Sequence, residues 1–401
     1  MLITFISTEI PSLKKGAPVR IYNLIKQAIA SGATVDLITL VQDEEDAKKL
    51  KNELGLNNVI PVIEEKISFA TYFFGVVFRR VPPYFSDYRL SDLSDVVLSY
   101  TKKSKPDIIQ LELLHSYYAI APVIPELKDM GISIILDEHN VEFNAFVGAV
   151  ETFSWLKRLI GLHIAPGILA VETEAVRAAD CVFFCSEEDK SFFSKLIPSE
   201  KCVVIPNGVD CRLFLAKPLI SNHKIIFTGG MYYPPNDDAL KFYFHEIHTL
   251  IKNKVPDVTI TLLGGEPSAW LKKLSKNDSS ILIPGLVSDV REYIQSSRVC
   301  ISPMRKGSGT SLKILEYMGS GKPIVSTKVG VRGISCGNYK DIIIANEPKA
   351  FAGAVVDSLR NDHLAKKLGE NARKTAEEFY DWKIIGKKLF EVYNLILTEK
   401  P

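Results

Sequence analysis

The sequence predicts an α/β protein of two Rossmann-like, doubly wound domains, each with a parallel sheet that helices cover on both faces. Short β-branched runs alternate with longer stretches of helical period along the chain, a pattern typical of parallel sheets with helical crossovers. At 401 residues the chain is long enough for two domains that each bury a core. A new apolar strand at 224–231 broadly echoes the opening strand at 1–7, although no residue-level repeat is present.

Composition excludes several classes of protein. Hydrophobic residues make up 46% of the chain and charged residues 24%, which describes a globular and not a disordered protein. The formal net charge is only +2, so no basic field indicates a nucleic-acid partner. The opening strand lacks a basic start and is too short for a signal peptide, and no apolar run reaches the length of a membrane span. We therefore expect a soluble protein without a leader or a spanning helix.

The cysteines form neither a metal-ligand pattern nor a disulfide framework. Several lie in apolar, strand-like runs, where a reduced cysteine behaves as a small hydrophobic residue. A reducing cytoplasm is the simplest location for such a chain. The six are Cys181, Cys185, Cys202, Cys211, Cys300 and Cys336.

The first predicted loop is well placed for a ligand. Residues 8–18 join the first strand to a helix at 19–30, and a second strand follows at 35–41. Ligands of open α/β sheets bind at the carboxyl ends of strands, which is where this loop begins.

Two later strands end in candidate catalytic residues. The strand 131–137 runs directly into His139, and the strand 107–113 carries Glu112, with His115 just beyond it. A histidine in a loop is usually solvated or hydrogen-bonded, but His139 follows the carboxyl end of a strand, where sites collect. Glu112 and His115 are able to face an acceptor, although a structural role fits their pattern at least as well.

A turn and a polar linker separate the two halves. The strand at 203–210 carries the sequence Pro-Asn-Gly, a strong turn signal. The polar segment 217–224 follows it and indicates the linker between the domains.

The stretch 303–323 predicts a glycine-rich loop that opens a helix. Gly307 and Gly309 permit positive backbone angles, and either Ser308 or Thr310 is able to cap the helix. The free amides of Gly309, Thr310, Ser311 and Leu312 would then lie at the positive end of the helix dipole, which suits a diphosphate.

Glu316 follows that loop at a suggestive distance. It lies roughly 10 Å along the helix from Gly309, which suits the ribose of a nucleotide whose diphosphate is held at the helix start. A carboxylate there is able to accept hydrogen bonds from both ribose hydroxyls. An ordinary strand-loop-helix unit with Glu316 in solvent has the same local pattern.

The stretch resembles the nucleotide-sugar site of the family 4 retaining glycosyltransferases, in the variant written G-S-G-T-x-x-K-x-L-E-x-M-x-x-G-K-P. The segments 205–210 and 229–236 also match that family. The resemblance implies the GT-B fold, in which two Rossmann-like domains face each other across a cleft. It implies an acceptor-binding domain at 1–215, completed by a C-terminal helix at 383–401 that crosses back, and a donor-binding domain at 216–382.

The resemblance also implies roles for individual residues. His139 matches the histidine that contacts the transferred sugar, and Glu316 matches the glutamate on the ribose. Gly16 and Arg20 match a glycine and an arginine that approach the donor, although a mobile loop with a solvated arginine is equally consistent. The predicted catalytic residues are His139 and Ser308, and the predicted donor-binding residues are Gly16, Arg20, Gly230, Val287, Gly309, Thr310, Ser311, Leu312, Lys313 and Glu316.

The sequence departs from the common family pattern at the charged positions. Gly230 stands where many members carry an arginine on the diphosphate, and Ser308 stands where the first glutamate of the motif is common. Ser311 replaces an arginine that is frequent in this variant. The positive charge for a diphosphate must then come from another residue, and the candidates left open are Arg20, Arg305, Lys306 and Lys313.

The reaction that the resemblance implies is transfer of a sugar from a nucleoside diphosphate sugar to a hydroxyl acceptor, with retention of configuration. The acceptor would be a glycan, a lipid-linked molecule or a small molecule. No metal or other cofactor is expected, because Asp237, Asp238 and the acidic run 43–46 lack an ordered ligand pattern. Two rivals remain: a catalytically silent nucleotide-sugar-binding partner protein, and another GT-B enzyme such as a sugar epimerase or phosphorylase.

Two aromatic and basic stretches, 67–80 and 153–160, are candidates for membrane contact. Such segments lie on anionic membrane surfaces in some proteins, but core-facing helices with cationic edges have the same pattern. Enzymes of the family often act on lipid-linked acceptors. The resulting hypothesis is a cytoplasmic protein that contacts the inner face of the membrane peripherally.

Overall fold

A computed structural model describes residues 1–13, 16–41, 43–63, 90–150 and 155–398. The chain forms two compact units: Met1–Pro206 with Ile385–Pro401, and Asn207–Ile384. The sequence placed the first boundary at 215/216, nine residues later than the structure. The reason is that Val209 bonds through its amide to the carbonyl of Tyr380 at 2.8 Å and is buried in a core of the second unit.

The first unit contains a seven-stranded parallel sheet in the order β3-β2-β1-β4-β5-β6-β7. The order reverses direction between β1 and β4, the switch point where ligands of doubly wound sheets bind. The strands are β1 Leu2–Ser7, β2 Thr34–Val41, β3 Asn58–Ile63, β4 Ile108–Glu112, β5 Ser133–Glu138, β6 Cys181–Phe184 and β7 Cys202–Val204.

Helices connect these strands. Capping residues set the ends of the helix Glu44–Leu54: the Asp43 side chain caps its start, and Gly55, at φ 76°, ends it. The α-helices described in this unit are Ala17–Ala30, Glu44–Leu54, Leu90–Ser104, Leu113–Ile120, Ile124–Asp129, Glu142–Val150, Trp155–Ala178, Glu187–Phe193 and, mostly in this unit, Trp382–Thr398.

The second unit contains a six-stranded parallel sheet in the order β10-β9-β8-β11-β12-β13. Its strands are β8 Lys224–Thr228, β9 Thr259–Leu263, β10 Ile281–Gly285, β11 Val299–Ser302, β12 Ile324–Ser326 and β13 Ile343–Ile344. Its α-helices are Pro234–Phe242, His248–Lys252, Ala269–Asn277, Val290–Ser296, Leu312–Gly319, Pro348–Arg360 and Asp362–Thr375. Both sheets match the predicted α/β class with parallel strands.

The final helix, Trp382–Thr398, completes the first unit. The ring of Tyr393 is buried and lies 6.2 Å from the ring of Phe183, measured between centroids. Gly386 packs so closely on the helix Ala17–Ala30 that a Cβ there would come within 2.6 Å of the Gln27 side chain. The helix Trp382–Thr398 is therefore tightly packed against the first unit.

The helix Trp155–Ala178 corrects one expectation. Its part Arg158–Ala178 is long and apolar enough to cross a membrane by length and composition alone, so the prediction that no run reaches that length is wrong on this test. The core helix of a soluble protein passes the same test. Ile164, Ile168 and Val176 are indeed buried in the core of the first unit.

The N-terminal part of that helix keeps an apolar face in solvent. Trp155 is 75% exposed and Leu159 58%, and Ile160 and Leu162 are about half exposed. Trp155, Leu159 and Ile160 belong to the predicted membrane segment 153–160, of which the structure describes 155–160. The other predicted segment, 67–80, lies outside the described residues.

Candidate functional site

In the first unit, an acidic pair and a histidine meet at the carboxyl ends of β4 and β5. Glu112 and Asp137 are register partners on these neighbouring strands, so their side chains lie close together. His139 follows β5, and its Nε2 lies 2.9 Å from Glu112 Oε2 and 3.3 Å from Asp137 Oδ2. All three side chains are buried. The sequence thus located His139 correctly beyond a strand end but assigned no contact between it and Glu112.

Arg20 completes this cluster from the helix Ala17–Ala30. Its guanidinium donates two hydrogen bonds to Asp137, at 2.8 and 2.6 Å, and one to the carbonyl of Pro206 at 3.1 Å. Arg20 is only 1% exposed. The structure thus excludes a solvated arginine on a mobile loop, because the guanidinium is buried and its charge is engaged by Asp137. The approach of Arg20 to the donor stays a prediction.

The opposite charges outweigh burial in this cluster. Burial raises the pKa of Asp137, but Arg20 and His139 outweigh it and hold that pKa well below its usual range. Burial lowers the pKa of His139, but Asp137 and Glu112 outweigh it and raise the pKa. Glu112 is the exception, because burial, with Asp137 next to it, raises the pKa of Glu112 to about 7. The two carboxylates therefore favour the protonated, imidazolium form of His139.

The second ring nitrogen of His139 is poised for a further hydrogen bond. Nδ1 is buried and has no hydrogen-bond partner among the described residues. Since Nε2 is held by carboxylates, Nδ1 is the atom that this arrangement leaves for a substrate.

The spacing of Glu112, Asp137 and His139 alone would also suit a metal ion, because their ligand atoms lie within 4.8 Å of one another. Asp137, however, uses both its oxygens to accept hydrogen bonds from Arg20. A cation there would compete with a buried guanidinium, so the arrangement fits a hydrogen-bonded ion network better than a metal site.

The other first-unit candidates lie near the same sheet edge. Gly16 directly precedes the helix Ala17–Ala30 at φ 61°, a left-handed conformation that favours glycine. His115 lies in the helix Leu113–Ile120 with both ring nitrogens buried, and burial lowers its pKa.

In the second unit, three glycine turns gather at the carboxyl ends of β8, β9 and β10. The amide of Gly229 bonds to the carbonyl of Leu263 at 2.8 Å, and the amide of Gly264 bonds to Gly285 at 3.2 Å. A Cβ on Gly264 would lie 2.0 Å from the carbonyl oxygen of Gly229, so only glycine fits there. Gly230 lies in the first of these turns.

Lys313 lies against the first turn. Its Nζ donates to Asn236 Oδ1 at 2.9 Å and lies 4.0 Å from the centroid of the Phe227 ring. A Cβ on Gly229 would come within 3.0 Å of this Nζ. Burial lowers the pKa of Lys313 to about 7, against the opposing charge of Glu316. The Lys313 amine is therefore held beside the turn, and it is only partly protonated at neutral pH.

Asn236 is one of the residues whose contacts the sequence did not predict. Its side-chain amide donates to the carbonyl of Gly230 at 2.9 Å, while its oxygen accepts from Lys313. Asn236 thus ties the lysine to the turn. The Pro-Asn pair in the segment 229–236 was visible as a motif, but its partner lies 77 residues away in the sequence.

Glu316 lies one helical turn after Lys313. Burial raises the pKa of Glu316 to about 7, and the charge of Lys313 opposes the rise. Both residues project from the helix Leu312–Gly319, so their charges are fixed relative to the same helix start.

That helix begins later than the sequence predicted. It starts at Leu312, with Ser311 as its N-cap residue and no side-chain cap, and not at Thr310. Gly309, at φ 69°, keeps the preceding residues out of helical geometry. The amides at the helix start therefore belong to Leu312 and Lys313, whereas Ser308, Gly309 and Thr310 lie in the loop before it.

The remaining candidates occupy two other loops. Arg305 donates to both oxygens of Asp238, at 3.1 and 2.8 Å, so its charge is already paired. Val287 follows β10 and is partly exposed. Its neighbour Leu286 is 85% exposed and packs against the turn at Gly265. Of the candidate cations, Lys313 is thus the one held against the glycine turn by a side-chain contact in the described structure.

Two family models match the chain. The model described as Glycosyltransferase Family 4 matches residues 14–213, and the model described as Glycosyl transferases group 1 matches residues 222–361. The first match covers most of the first unit, and the second lies within the second unit.

Curated relatives match parts of the chain. It is 27% identical over 299 residues to the MMP α-(1→4)-mannosyltransferase of Mycolicibacterium hassiacum, which covers 70% of each chain. It is 24% identical over 214 residues to an uncharacterized 44.6 kDa protein in the cps region of Klebsiella pneumoniae, covering 52% of this chain and 53% of that one. An uncharacterized glycosyltransferase of Methanocaldococcus jannaschii is 26% identical over 238 residues, covering 55% and 60%. The chain thus spans little more than half the length of the latter two relatives.

Solved structures resemble the chain over nearly its whole length. Sucrose-phosphate synthase from Thermosynechococcus elongatus superposes with a TM-score of 0.74 at 16% identity, covering 99% of both chains. Anabaena HepE in complex with UDP-glucose superposes with a TM-score of 0.63 at 16% identity, covering 98% of this chain and 100% of that one. At such low identity these likenesses concern the fold.

Proposed function

The chain belongs to the family 4 glycosyltransferases, with the GT-B fold, and from that premise we propose that it transfers a sugar from a nucleoside diphosphate sugar to a hydroxyl acceptor with retention of configuration. The observation that carries the donor class is the pairing of Lys313 with the glycine turn at Gly229, with Glu316 one turn farther along the same helix.

The diphosphate is proposed to bind at the start of the helix Leu312–Gly319. The amides of Leu312 and Lys313 and the Lys313 ammonium group offer positive charge where the leaving diphosphate gains negative charge. Glu316 is proposed to accept hydrogen bonds from the ribose hydroxyls. The HepE structure, which is in complex with UDP-glucose, supports a donor of this class.

His139 is proposed to contact the transferred sugar. Its free Nδ1 donates a hydrogen bond, and the carboxylates on Nε2 favour the imidazolium form that donates it. We assign no metal to the reaction, since Asp137 is engaged by Arg20 and Glu112 by Gln110 and His139, and we assign no general base. The positive charge that stabilises a departing diphosphate would then come from Lys313 and the start of the helix Leu312–Gly319.

We further propose a glycan or lipid-linked acceptor and a cytoplasmic protein that contacts the membrane peripherally. The exposed apolar face of the helix Trp155–Ala178, with Arg158 also exposed beside it, suits the boundary of an anionic bilayer. We expect the protein to float with anionic but not neutral liposomes, and Leu159→Glu to weaken that flotation. Leu395→Glu, at an equally exposed leucine of the last helix, is the control. Absence of flotation at low salt would remove the membrane contact from the proposal.

A screen of nucleotide sugars tests the donor proposal. Thermal unfolding is measured with UDP-, GDP-, ADP- and TDP-sugars, and release of nucleoside diphosphate is measured with candidate acceptors. We expect one nucleotide class to stabilise the protein and its sugar to be transferred. Ser308, in place of a common glutamate, makes a silent binding protein the second candidate. Stabilisation without any release of nucleoside diphosphate would favour that second candidate, and no stabilisation by any nucleotide sugar would overturn both.

A further inference from the structure

A buried chain of hydrogen bonds joins the last helix to His139. The hydroxyl of Tyr393 donates to Gln110 Oε1 at 2.5 Å, and Gln110 Nε2 donates to Glu112 Oε1 at 2.7 Å. The other oxygen of Glu112 lies 2.9 Å from His139 Nε2. Tyr393, Gln110 and Glu112 are each 0% exposed, and His139 is 8% exposed.

The hydrogen bonds in this series have one direction from donor to acceptor. A tyrosine hydroxyl that donates to Gln110 Oε1 turns the amide so that Nε2 must face Glu112. Glu112 Oε1 is then occupied, and Oε2 is left to accept from His139 Nε2. Each member thus sets the orientation of the next, and the last bond fixes which nitrogen of the imidazole carries its proton toward the carboxylate.

The backbone is strained directly after Glu112, at Leu113. Leu113, which follows directly, has φ 70°, a left-handed conformation that residues other than glycine rarely adopt. The strand β4 therefore turns into the helix Leu113–Ile120 without a loop, which holds Glu112 at the strand end. Strain of this kind persists where surrounding structure over-determines the backbone.

We propose that Tyr393, Gln110 and Glu112 are positioning residues that orient His139 and direct its Nδ1 toward the transferred sugar. This inference rests on the proposed function for the role of His139. None of the three touches the substrate in this scheme, and they act through the orientation and protonation of the imidazole. The helix Trp382–Thr398 would thereby control the orientation of His139, which lies 254 positions before Tyr393 in the sequence.

A purely structural role is the competing explanation, because buried polar networks also stabilise cores. The two explanations differ in what they predict for His139 itself. Among the described residues, the charged and titratable groups that face its imidazole or its partners are Glu112, Asp137, Arg20, His115, Glu138 and Cys185. Among these, only Glu112 connects to Tyr393 through the chain described above.

Two variants and one control separate the explanations. Glu112→Gln keeps the shape and removes the charge, and Tyr393→Phe keeps the ring and removes the hydroxyl. Tyr100→Phe is the matched control, because the Tyr100 hydroxyl also donates to a carboxylate of the first unit, Asp36 Oδ2 at 2.7 Å, but lies outside this chain. Each full-length variant is studied by NMR of ¹⁵N-labelled histidine, with His139 assigned from His139→Gln, and by kcat and KM against pH.

We expect Glu112→Gln to lower kcat on the order of tenfold to a hundredfold, with little change in the donor KM. The same variant should make His139 titrate at lower pH, which moves the basic limb of the kcat profile in the same direction. Tyr393→Phe should act in the same sense but more weakly, by about two- to tenfold. Tyr100→Phe should leave the His139 titration and the pH profile unchanged.

The proposal is overturned if both variants leave the His139 titration and the pH profile of kcat like those of the control. If Glu112→Gln does not fold, Tyr393→Phe decides alone, since its ring packing is retained. If the wild-type protein transfers no sugar, the proposed function fails, and the NMR titration still decides whether Tyr393 and Glu112 govern His139.

Discussion

The two units place opposite charges at the same kind of position, the carboxyl ends of parallel strands, but hold them differently. In the first unit, Arg20 and Asp137 form a buried pair in which the charge partners outweigh burial. In the second unit, burial outweighs the partners, and the pKa values of Lys313 and Glu316 both move to about 7. The first pair is complete in the free protein, and we propose that the second gains its full charge only when a ligand supplies further interactions. On this proposal, a structural ion pair and a ligand-binding pair differ in whether the charge partners or burial dominate the pKa values.

The largest effect should come from breaking the complete pair. Arg20→Met leaves Asp137 buried without its cation, and we expect a loss of about 3–5 kcal/mol in the stability of the first unit. Urea unfolding of the variant measures it. Arg212→Met is the control, because Arg212 forms a similar pair with Asp210 but is 79% exposed, and we expect a change of about 1 kcal/mol or less. Equal losses in the two variants would contradict the contrast drawn between buried and solvent-exposed pairs.

Removing the cation of the second pair should weaken nucleotide binding and not folding. We expect Lys313→Met to weaken the binding free energy for a nucleoside diphosphate by about 2–3 kcal/mol, since a charge-assisted contact to the diphosphate is lost. Isothermal titration calorimetry measures the change. Lys366→Met, at a lysine that is 72% exposed in the same unit, should bind normally. A Lys313→Met protein with unchanged affinity would show that another cation neutralises the diphosphate.

Removing the Glu316 carboxylate should weaken binding of the nucleoside part of the ligand and not binding of its phosphates. We expect Glu316→Ala to weaken nucleoside diphosphate binding by about 1.5–3 kcal/mol, while pyrophosphate binding changes little. The control is Glu370→Ala, at an exposed glutamate of the second unit. An equal loss for both ligands would assign Glu316 to the diphosphate, and no loss for either would remove its assigned role.

The smallest effect should be a dependence of binding on pH. As pH rises through about 7, free Lys313 loses its proton, so binding must take one up and affinity falls. As pH falls through about 7, Glu316 gains a proton and can no longer accept from the ribose, so affinity falls again. Nucleotide affinity should therefore peak near neutral pH and change up to about tenfold per pH unit on either side. Lys313→Arg should remove the alkaline fall, and a flat profile in the wild-type protein would contradict both assignments.

Local patterns in the sequence predicted several of the strands and helices, and with them the place of His139 at a strand end. The glycines at 307 and 309 were predicted to have positive φ, and they do. The sequence did not predict what depends on distant partners. Arg20 meets Asp137 across 117 positions, Lys313 meets Asn236 across 77, and Tyr393 meets Gln110 across 283.

The errors have the same origin. The predicted domain boundary followed a polar segment, but residues from Asn207 onward belong to the second unit through contacts near Tyr380. The predicted helix start followed capping residues, but Gly309 has φ 69° and the helix begins only after Ser311, whose backbone is extended. Single-sequence patterns describe a residue's neighbours along the chain, and both features depend on backbone geometry or on residues far away in the sequence.

The return of residues 385–398 to the first unit sets an order for biosynthesis. A ribosome releases those residues after every described strand of the second unit has emerged. The second unit is therefore able to finish folding while the first still lacks Tyr393. A nascent chain that stalls before the helix Trp382–Thr398 would expose an unfinished first unit to chaperones and proteases, because the histidine network is completed only after the second unit has been translated.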